Sequence, residues 1–253
     1  MLVSIITVAY NSGNTLRTAI QSILNQSYKN IEYWIIDGGS NDDTLNIIKE
    51  FEPKFNGRLK WISEPDRGIY DAMQKGVSKC TGDIIGLLNS DDFFTSDNVI
   101  QTMVHAFTDD IDALYGDVHF VDASNIDKCV RYYSGALFKP WMVRFGYMPP
   151  HPALYVRRSV YEKYGSYKPE YKISADFEFI ARILYKYKLP YKYLHLDFVT
   201  MREGGASTMN LRARIRGTEE DLIACKQLGI KTNRFFIYLK FFMKKFQAMF
   251  ITK

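Results

Sequence analysis

The 253-residue chain carries 47% hydrophobic and 24% charged residues, which is enough apolar content for a substantial core in one large domain, or one domain with an appendage. No basic segment followed by an apolar stretch opens it, so export is not expected; Cys80, Cys129 and Cys225 are odd in number, far apart and without metal-ligand spacing, which fits reduced thiols in a cytosol. The net charge of +5 is modest, no nucleic-acid partner is expected, and the basic excess collects at the C-terminal end.

Short β-branched apolar runs alternate with helical spacing through the first hundred residues, which predicts βαβ units and a parallel sheet. Leu2 to Ala9 reads as a strand, and Leu16, Ala19, Ile20, Ile23 and Leu24 mark one face of a helix. Glu32 to Asp37 is the second strand. Asp42 is a candidate N-cap for a helix carrying Leu45, Ile47, Ile48 and Phe51, ended by Pro53. Arg58 to Ser63 reads as a third strand, Ile69 to Cys80 as a helix, and Asp83 to Leu88 as a fourth strand. Beyond Ser96 the pattern is mixed: a helix near Asn98 to Phe107, a strand pair near Ala113 to Asp122 and Lys128 to Ser134, and a Pro-rich turn at Met148 to Pro152. A strand at Ala153 to Val156 and a helix from Asp176 to Leu184 follow, and Arg202 to Met209, with Gly204-Gly205, reads as a loop. Residues 1–210 are therefore taken as one catalytic unit in two halves, 1–95 and 96–210, with 211–253 as a helical extension.

In an open parallel sheet the ligand crevice lies beyond the carboxyl ends of the strands. Those ends are small and acidic here: Thr7-Val8-Ala9-Tyr10-Asn11, Asp37-Gly38-Gly39-Ser40, Glu64-Pro65-Asp66-Arg67-Gly68 and Asn89-Ser90-Asp91-Asp92. Asp, Asn and Gly are also common turn formers, and Asp42 is better read as a helix cap than as a ligand. Asp91-Asp92 directly follows the apolar run Ile84 to Leu88, where burying charge without a partner is costly. Gathered acids of this kind suit a divalent cation and a metal-bound nucleoside diphosphate.

These four ordered motifs, with Tyr70-Asp71-Ala72-Met73-Gln74-Lys75-Gly76 extending the third, resemble the family 2 glycosyltransferases of the GT-A fold. The third run is similar to a bacterial branch that builds surface polysaccharides such as colanic acid. The resemblance implies an α/β, Rossmann-like, mostly parallel central sheet flanked by helices, with a C-terminal helical basic extension outside the match. It implies a nucleotide-sugar donor, with Thr7, Ala9 and Asp37 at the base and ribose. Tyr10, Asn11, Asp66, Arg67, Asp71, Asn89, Ser90 and Asp91 complete the expected donor-binding set. It makes Asp92 the ligand to Mn²⁺ or Mg²⁺. Two positions depart from the commonest form: Gly38 and Asn89, where acids are frequent. Asp176 resembles the catalytic base at the start of an acceptor-side helix, its alternative role being to stabilise that helix terminus. As the base it would take the acceptor hydroxyl's proton, and attack opposite the leaving group inverts the anomeric centre. His151 could touch phosphate, acceptor or only its own loop. Arg202, Gly204, Gly205 and Ser207 look like a loop that closes over the donor pyrophosphate.

From Lys226 onward there is no acid, and seven basic residues are interleaved with aromatics and aliphatics. Charged residues in mid-segment disfavour a membrane span, while an amphipathic helix over 231–253 could lie on an anionic surface with Lys240, Lys244 and Gln247 on one face. Its alternative is packing against the catalytic unit or another subunit. The expected setting is cytoplasmic and peripheral to the inner face of the cytoplasmic membrane, with a glycan or lipid-linked acceptor. A sugar-phosphate nucleotidyltransferase is the enzymatic rival, but Tyr10-Asn11-Ser12-Gly13-Asn14 lacks the glycine-rich basic loop it needs. A catalytically silent membrane-attached binding module is the rival of another class, against which the intact Asp92 and Asp176 argue.

Overall fold

A computed structural model describes residues 1–204 and 211–250; Gly205, Ser207 and the side chains of Lys244 and Gln247 lie outside the described residues. Strands β1 (Val3–Ala9), β2 (Ile31–Asp37), β3 (Leu59–Ser63) and β4 (Ile84–Leu87) run parallel in the order β3-β2-β1-β4. Helices α1 (Leu16–Leu24), α2 (Thr44–Phe51) and α3 (Ile69–Lys79) connect them. Both faces of the sheet are covered at β1, β2 and β4, so these strands are buried almost throughout and do not alternate, while the edge strand β3 exposes Lys60 and Ser63. Val3, Ile5, Tyr33 and Ile35 pack with α1 and α2 on one side, while Ile6, Val8 and Ile36 pack with α3 on the other. Gly76 lets α3 lie directly on the sheet, since a Cβ there would fall 2.5 Å from Ile6 Cγ2.

The second half mixes strand directions. β5 (Phe93–Phe94), α4 (Val99–Ala106), β6 (Ala113–Asp122), β7 (Asn125–Tyr133), β8 (Leu154–Arg157) and α5 (Arg158–Tyr164) lead to α6 (Ala175–Ile180), which continues as a π-helical turn over Ala181–Lys186. β9 (Tyr191–Arg202), α7 (Leu211–Gln227) and α8 (Arg234–Phe250) follow. The sheet continues β4-β8-β6-β9-β5 with β7 on β6; β8 pairs antiparallel with both β4 and β6, and β9 is parallel to β6. The mostly parallel, helix-flanked α/β sheet and the helical C-terminal part are as expected.

Three sequence readings change. β9 spans twelve residues where no strand is expected, because Tyr191 to Asp197 mixes aromatic and charged residues and only Phe198 to Thr200 is buried. Arg202 consequently ends this strand instead of opening a loop. The N-cap position of α2 falls on Asp43, although the Asp42 carboxylate still accepts Thr44 N–H at 3.0 Å and ties in Gly13 N–H at 2.8 Å.

Candidate active site

The rim beyond β1 to β4 is knitted by short polar side chains. Asp37, buried at the end of β2, accepts Gly39 N–H (3.1 Å), Ser40 N–H (3.0 Å), Ser63 Oγ–H (2.6 Å) and the Ser40 hydroxyl. Its carboxylate thereby fastens the turn after β2 to the end of β3. Thr7 is buried in β1, where it donates to the Leu88 carbonyl at 2.7 Å and accepts the Tyr33 hydroxyl at 3.0 Å. Ala9 is buried, whereas Tyr10 is 63% exposed at the mouth. Asn11 adopts φ 48°, which asparagine tolerates, held by Ser40 Oγ on its N–H and by Asn41 N–H on its Oδ1. Asp66 swings in against Gly38, where a Cβ would meet Asp66 Oδ2 at 2.5 Å and the Tyr10 ring at 3.4 Å. Glycine at this departure from the commonest family form is thus what admits Asp66. Asp71, buried in the first turn of α3, pairs with the exposed Arg67 guanidinium at 2.9 Å, and that pair holds its carboxyl below the ordinary range.

Asp92 stands apart from these satisfied groups. It is 1% exposed, and Asn89 Nδ2 donates to its Oδ2 at 2.8 Å. Burial, and then the charge of Asp91, push its carboxyl well above the usual carboxylate range; Asn89 and Arg202 oppose that shift. Arg202 reaches over from β9, donates to the Asp91 carbonyl and lies 5.2 Å from the Phe93 ring. Ser90 joins the first turn through Ser12, hydroxyl to hydroxyl at 2.9 Å. Among the described residues, no three His, Cys, Asp or Glu side chains are grouped to hold an ion by themselves. Small hard cations are commonly held by one or two carboxylates, with water and substrate phosphates completing the shell, and Asp91 and Asp92 fit that partial set.

The acceptor side is assembled over long sequence separations. Asp176, half-buried in the first turn of α6, has the Tyr70 hydroxyl 3.1 Å from its Oδ1; that hydroxyl donates to the Ile173 carbonyl at 2.6 Å. Tyr70 stacks on Tyr167 at 6.4 Å between ring centroids, and Tyr167 shares a 2.9 Å hydrogen bond with His151 Nε2. Burial lowers the His151 pKa against the opposing pull of Asp176, so the imidazole is disposed to stay neutral. Below this cluster Glu178 is fully buried and paired with Arg182 and Lys168, each at 2.9 Å. Arg182 also donates to the Gly165 and Ser166 carbonyls at 2.9 and 2.7 Å, so α6 and the loop before it move as one piece.

The structure therefore gathers the expected donor-side residues along one rim, and links His151 to Asp176. Sequence reasoning missed Tyr70, Tyr167, the Glu178–Arg182 pair and the run Glu219-Glu220-Asp221. The i,i+4 spacings of Glu178 with Arg182 and of Arg216 with Glu220 were available signals, but such spacing usually marks a solvated helix face.

The sequence profile described as glycosyl transferase family 2 matches residues 4–165. An uncharacterized glycosyltransferase of Mycobacterium tuberculosis is 33% identical over 185 residues, covering 71% of this chain and 68% of that protein. A PGL/p-HBAD biosynthesis glycosyltransferase of Mycobacterium bovis is 31% identical over 206 residues, with coverages of 80% and 77%. Among solved structures, S. aureus TarS 1–349 in complex with UDP-GlcNAc superposes with a TM-score of 0.67 at 15% identity, over 95% of this chain and 72% of that one. The chain spans only 44% of the longer TarS structure. The mannosyltransferase PcManGT from Pyrobaculum calidifontis, in complex with GDP-Man and Mn²⁺, gives 0.66 at 15% identity, over 94% and 68%. At such identity the structural likeness shows the fold alone. Given the profile, the relatives and the strand-end motifs, this chain belongs to glycosyl transferase family 2.

Proposed function

We propose that this chain is an inverting hexosyltransferase that moves a sugar from a nucleotide-sugar donor to an acceptor hydroxyl during assembly of a bacterial cell-surface polysaccharide or glycan. The buried, charge-strained Asp92 beside the partly exposed Asp91 carries the reading, because a deeply desolvated carboxyl next to a second acid at a sheet rim makes physical sense when a cation and a diphosphate are its partners. Mn²⁺ or Mg²⁺ held there by Asp92, with Asp91, would offset the charge that develops on the leaving nucleoside diphosphate. Thr7, Ala9, Tyr10, Asn11 and Asp37 line the base and ribose end; Asp66, Arg67, Asp71, Asn89 and Ser90 flank the sugar and phosphates. Asp176 takes the proton from the acceptor hydroxyl as the glycosidic bond forms, and the neutral His151 and Tyr70 fix the polar surroundings of that carboxylate. Arg202, at the end of β9 and bonded to the Asp91 carbonyl, offers a cation to the pyrophosphate. The domain halves follow this division, with donor residues in 1–95, acceptor residues in 96–210 and a supporting extension in 211–253.

The PGL/p-HBAD biosynthesis relative and the sugar-nucleotide complexes of the structural neighbours support this substrate class. A thermal-shift screen of UDP- and GDP-sugars with and without Mn²⁺, followed by nucleoside diphosphate release, tests it. A donor that raises the melting temperature only with metal, and is then consumed, is the expected result; no stabilisation by any sugar nucleotide would refute the reading.

The same proposal places the chain peripherally on an anionic, cytoplasmic membrane surface, where a lipid-linked acceptor would be met. Among the described residues no helix is long and apolar enough to cross a membrane. α8 packs inward through Ile237 and Phe236, and Lys240 turns inward to Asp221, so this lysine does not face lipid as the sequence pattern suggests. Its outward side presents Phe235 and Phe242, each 70% exposed, with Tyr238 and the exposed Arg234. Apolar aromatics with flanking basic residues suit the headgroup region. Flotation with phosphatidylglycerol vesicles should recover the parent chain and lose the F235S/Y238S/F242S variant; equal recovery removes the membrane role.

A further inference from the structure

Glu220 sits on α7, beyond the stretch matched by the family profile. Its carboxylate is buried, and Oε2 receives three consecutive backbone N–H groups: Lys172 at 3.0 Å, Ile173 at 2.8 Å and Ser174 at 3.0 Å. Convergent N–H donors of this kind stabilise a carboxylate and, equally, immobilise the peptide units that supply them. One turn earlier on the same helix face, the Gly217 carbonyl accepts Ser174 Oγ–H at 3.1 Å. The helix can come this near because Gly217 has no side chain; a Cβ would lie 3.1 Å from Ile173 Cγ2. Arg216 Nε, 3.1 Å from Oε1, holds the carboxylate in line.

The segment so gripped is the one that aims Asp176. Ser174 immediately precedes α6, Asp176 lies two residues further on, and the Ile173 carbonyl takes the Tyr70 hydroxyl that also touches Asp176 Oδ1. α7 is itself anchored next to this contact, where Asp221 pairs with Lys240 of α8 in a buried contact. We infer that Glu220 is a positioning residue for Asp176, so that the C-terminal helices set where the acceptor's proton is taken. Without its carboxylate, three N–H groups would turn to water and the loop would loosen ahead of the base. Among the described residues no donor-rim side chain bonds to Glu220 itself, and the gripped loop meets the rim through Lys172 Nζ on the Arg67 carbonyl at 3.0 Å, so donor binding should change far less than turnover.

This inference rests on Asp176 being the base, and the experiment separates the two. Full-length E220A, E220Q and D176N are compared by nucleoside diphosphate release from the sugar nucleotide that the parent chain consumes. Amide hydrogen exchange over residues 170–178 is followed in parallel. E220A should lose about 100-fold in kcat, the scale of an ångström-level misplacement, with donor KM within about twofold. Exchange should quicken at Lys172 to Ser174 while β1 and β4 stay protected. E220Q keeps one oxygen for the three N–H groups and should recover kcat to within about tenfold of the parent. If E220A does not fold, E220D, one methylene too short to reach the loop, takes its place with the same expected loss. An unchanged kcat in the folded variant, or a fall no larger than its loss of folded protein, overturns the role of Glu220. Should D176N itself turn over normally, the base assignment fails first, whatever Glu220 does.

Discussion

The donor rim and the acceptor side solve the same problem, that of holding carboxylates still, by opposite means. On the rim, Asp37 and Asp71 are satisfied largely by their own turns: Asp37 by Gly39 and Ser40, Asp71 by Arg67. On the acceptor side, Asp176 takes one local N–H, that of Phe177 at 2.8 Å, but its setting depends on Tyr70, 106 residues away, and on a loop clamped by Glu220, 46 residues beyond Ser174. Local satisfaction lets a rim residue keep its place when distant packing changes. Remote satisfaction makes the acceptor side sensitive to elements with no motif of their own. Asp92 belongs to neither pattern, being buried with incomplete compensation, and it is where the proposed cation would sit.

The comparison is tested most sharply at the proposed base and the proposed metal ligand. D176N should lower turnover by about 10²- to 10⁴-fold, the range for removing a general base, while the donor's dissociation constant by calorimetry stays within about twofold. Loss of donor affinity in D176N would mean that the two sides are not separable. D92N should weaken metal-dependent binding of the nucleoside diphosphate by about 10-fold or more, the loss of one charged partner.

Asp92 also carries a pH signature. Its folded pKa is raised above an unfolded value of about 3.9, so its contribution to stability is complete below that value and is lost as pH rises through the folded one. Metal-free protein should therefore lose melting temperature from this source as pH climbs from about 4 toward neutrality. D92N should flatten that slope, and Mn²⁺ should restore the parent's stability at the upper end. A slope identical in parent and D92N would show that Asp92 is not strained.

Smaller effects should come from groups that brace the sheet. Glu32, at the opposite end of the strands from the rim, pays for burial but accepts Thr81 N–H at 2.8 Å, Ser4 Oγ–H at 2.7 Å and Lys60 at 3.0 Å, which together bring its pKa down to about 2. Its contribution is present above the unfolded value and fades as pH falls toward about 2. E32Q should cost roughly 1–3 kcal/mol in denaturant unfolding and leave kcat unchanged. T7V, which strands both the Leu88 carbonyl and the buried Tyr33 hydroxyl, should cost about 2 kcal/mol on the same measurement. A change in donor specificity in T7V would bring Thr7 from a brace to a contact.

Much of the donor half was legible because its chemistry follows its strands directly. A buried apolar run that stops at Asp, Asn, Ser or Gly announces both where the strand ends and where the polar rim begins, as at Ala9, Asp37 and Leu88. The acceptor half was harder to read for an equally physical reason. β9 begins as Tyr-Lys-Tyr-Leu-His-Leu-Asp, whose strand character comes from pairing with β6 more than from burial of one face. Lys240 carries the charge expected of a lipid-facing residue, yet a buried acid on the neighbouring helix draws it inward.

The amino-acid sequence alone determined the α/β class, the four strand-end motifs and the identity of the acids at the rim, since periodicity and turn chemistry act over a few residues. Only the tertiary structure decided which of those acids are already satisfied, that Asp92 is not, and that Tyr70, His151 and Glu220 converge around Asp176. Desolvation and hydrogen-bond partnership are set by groups brought together from distant parts of the chain, and no local pattern encodes them.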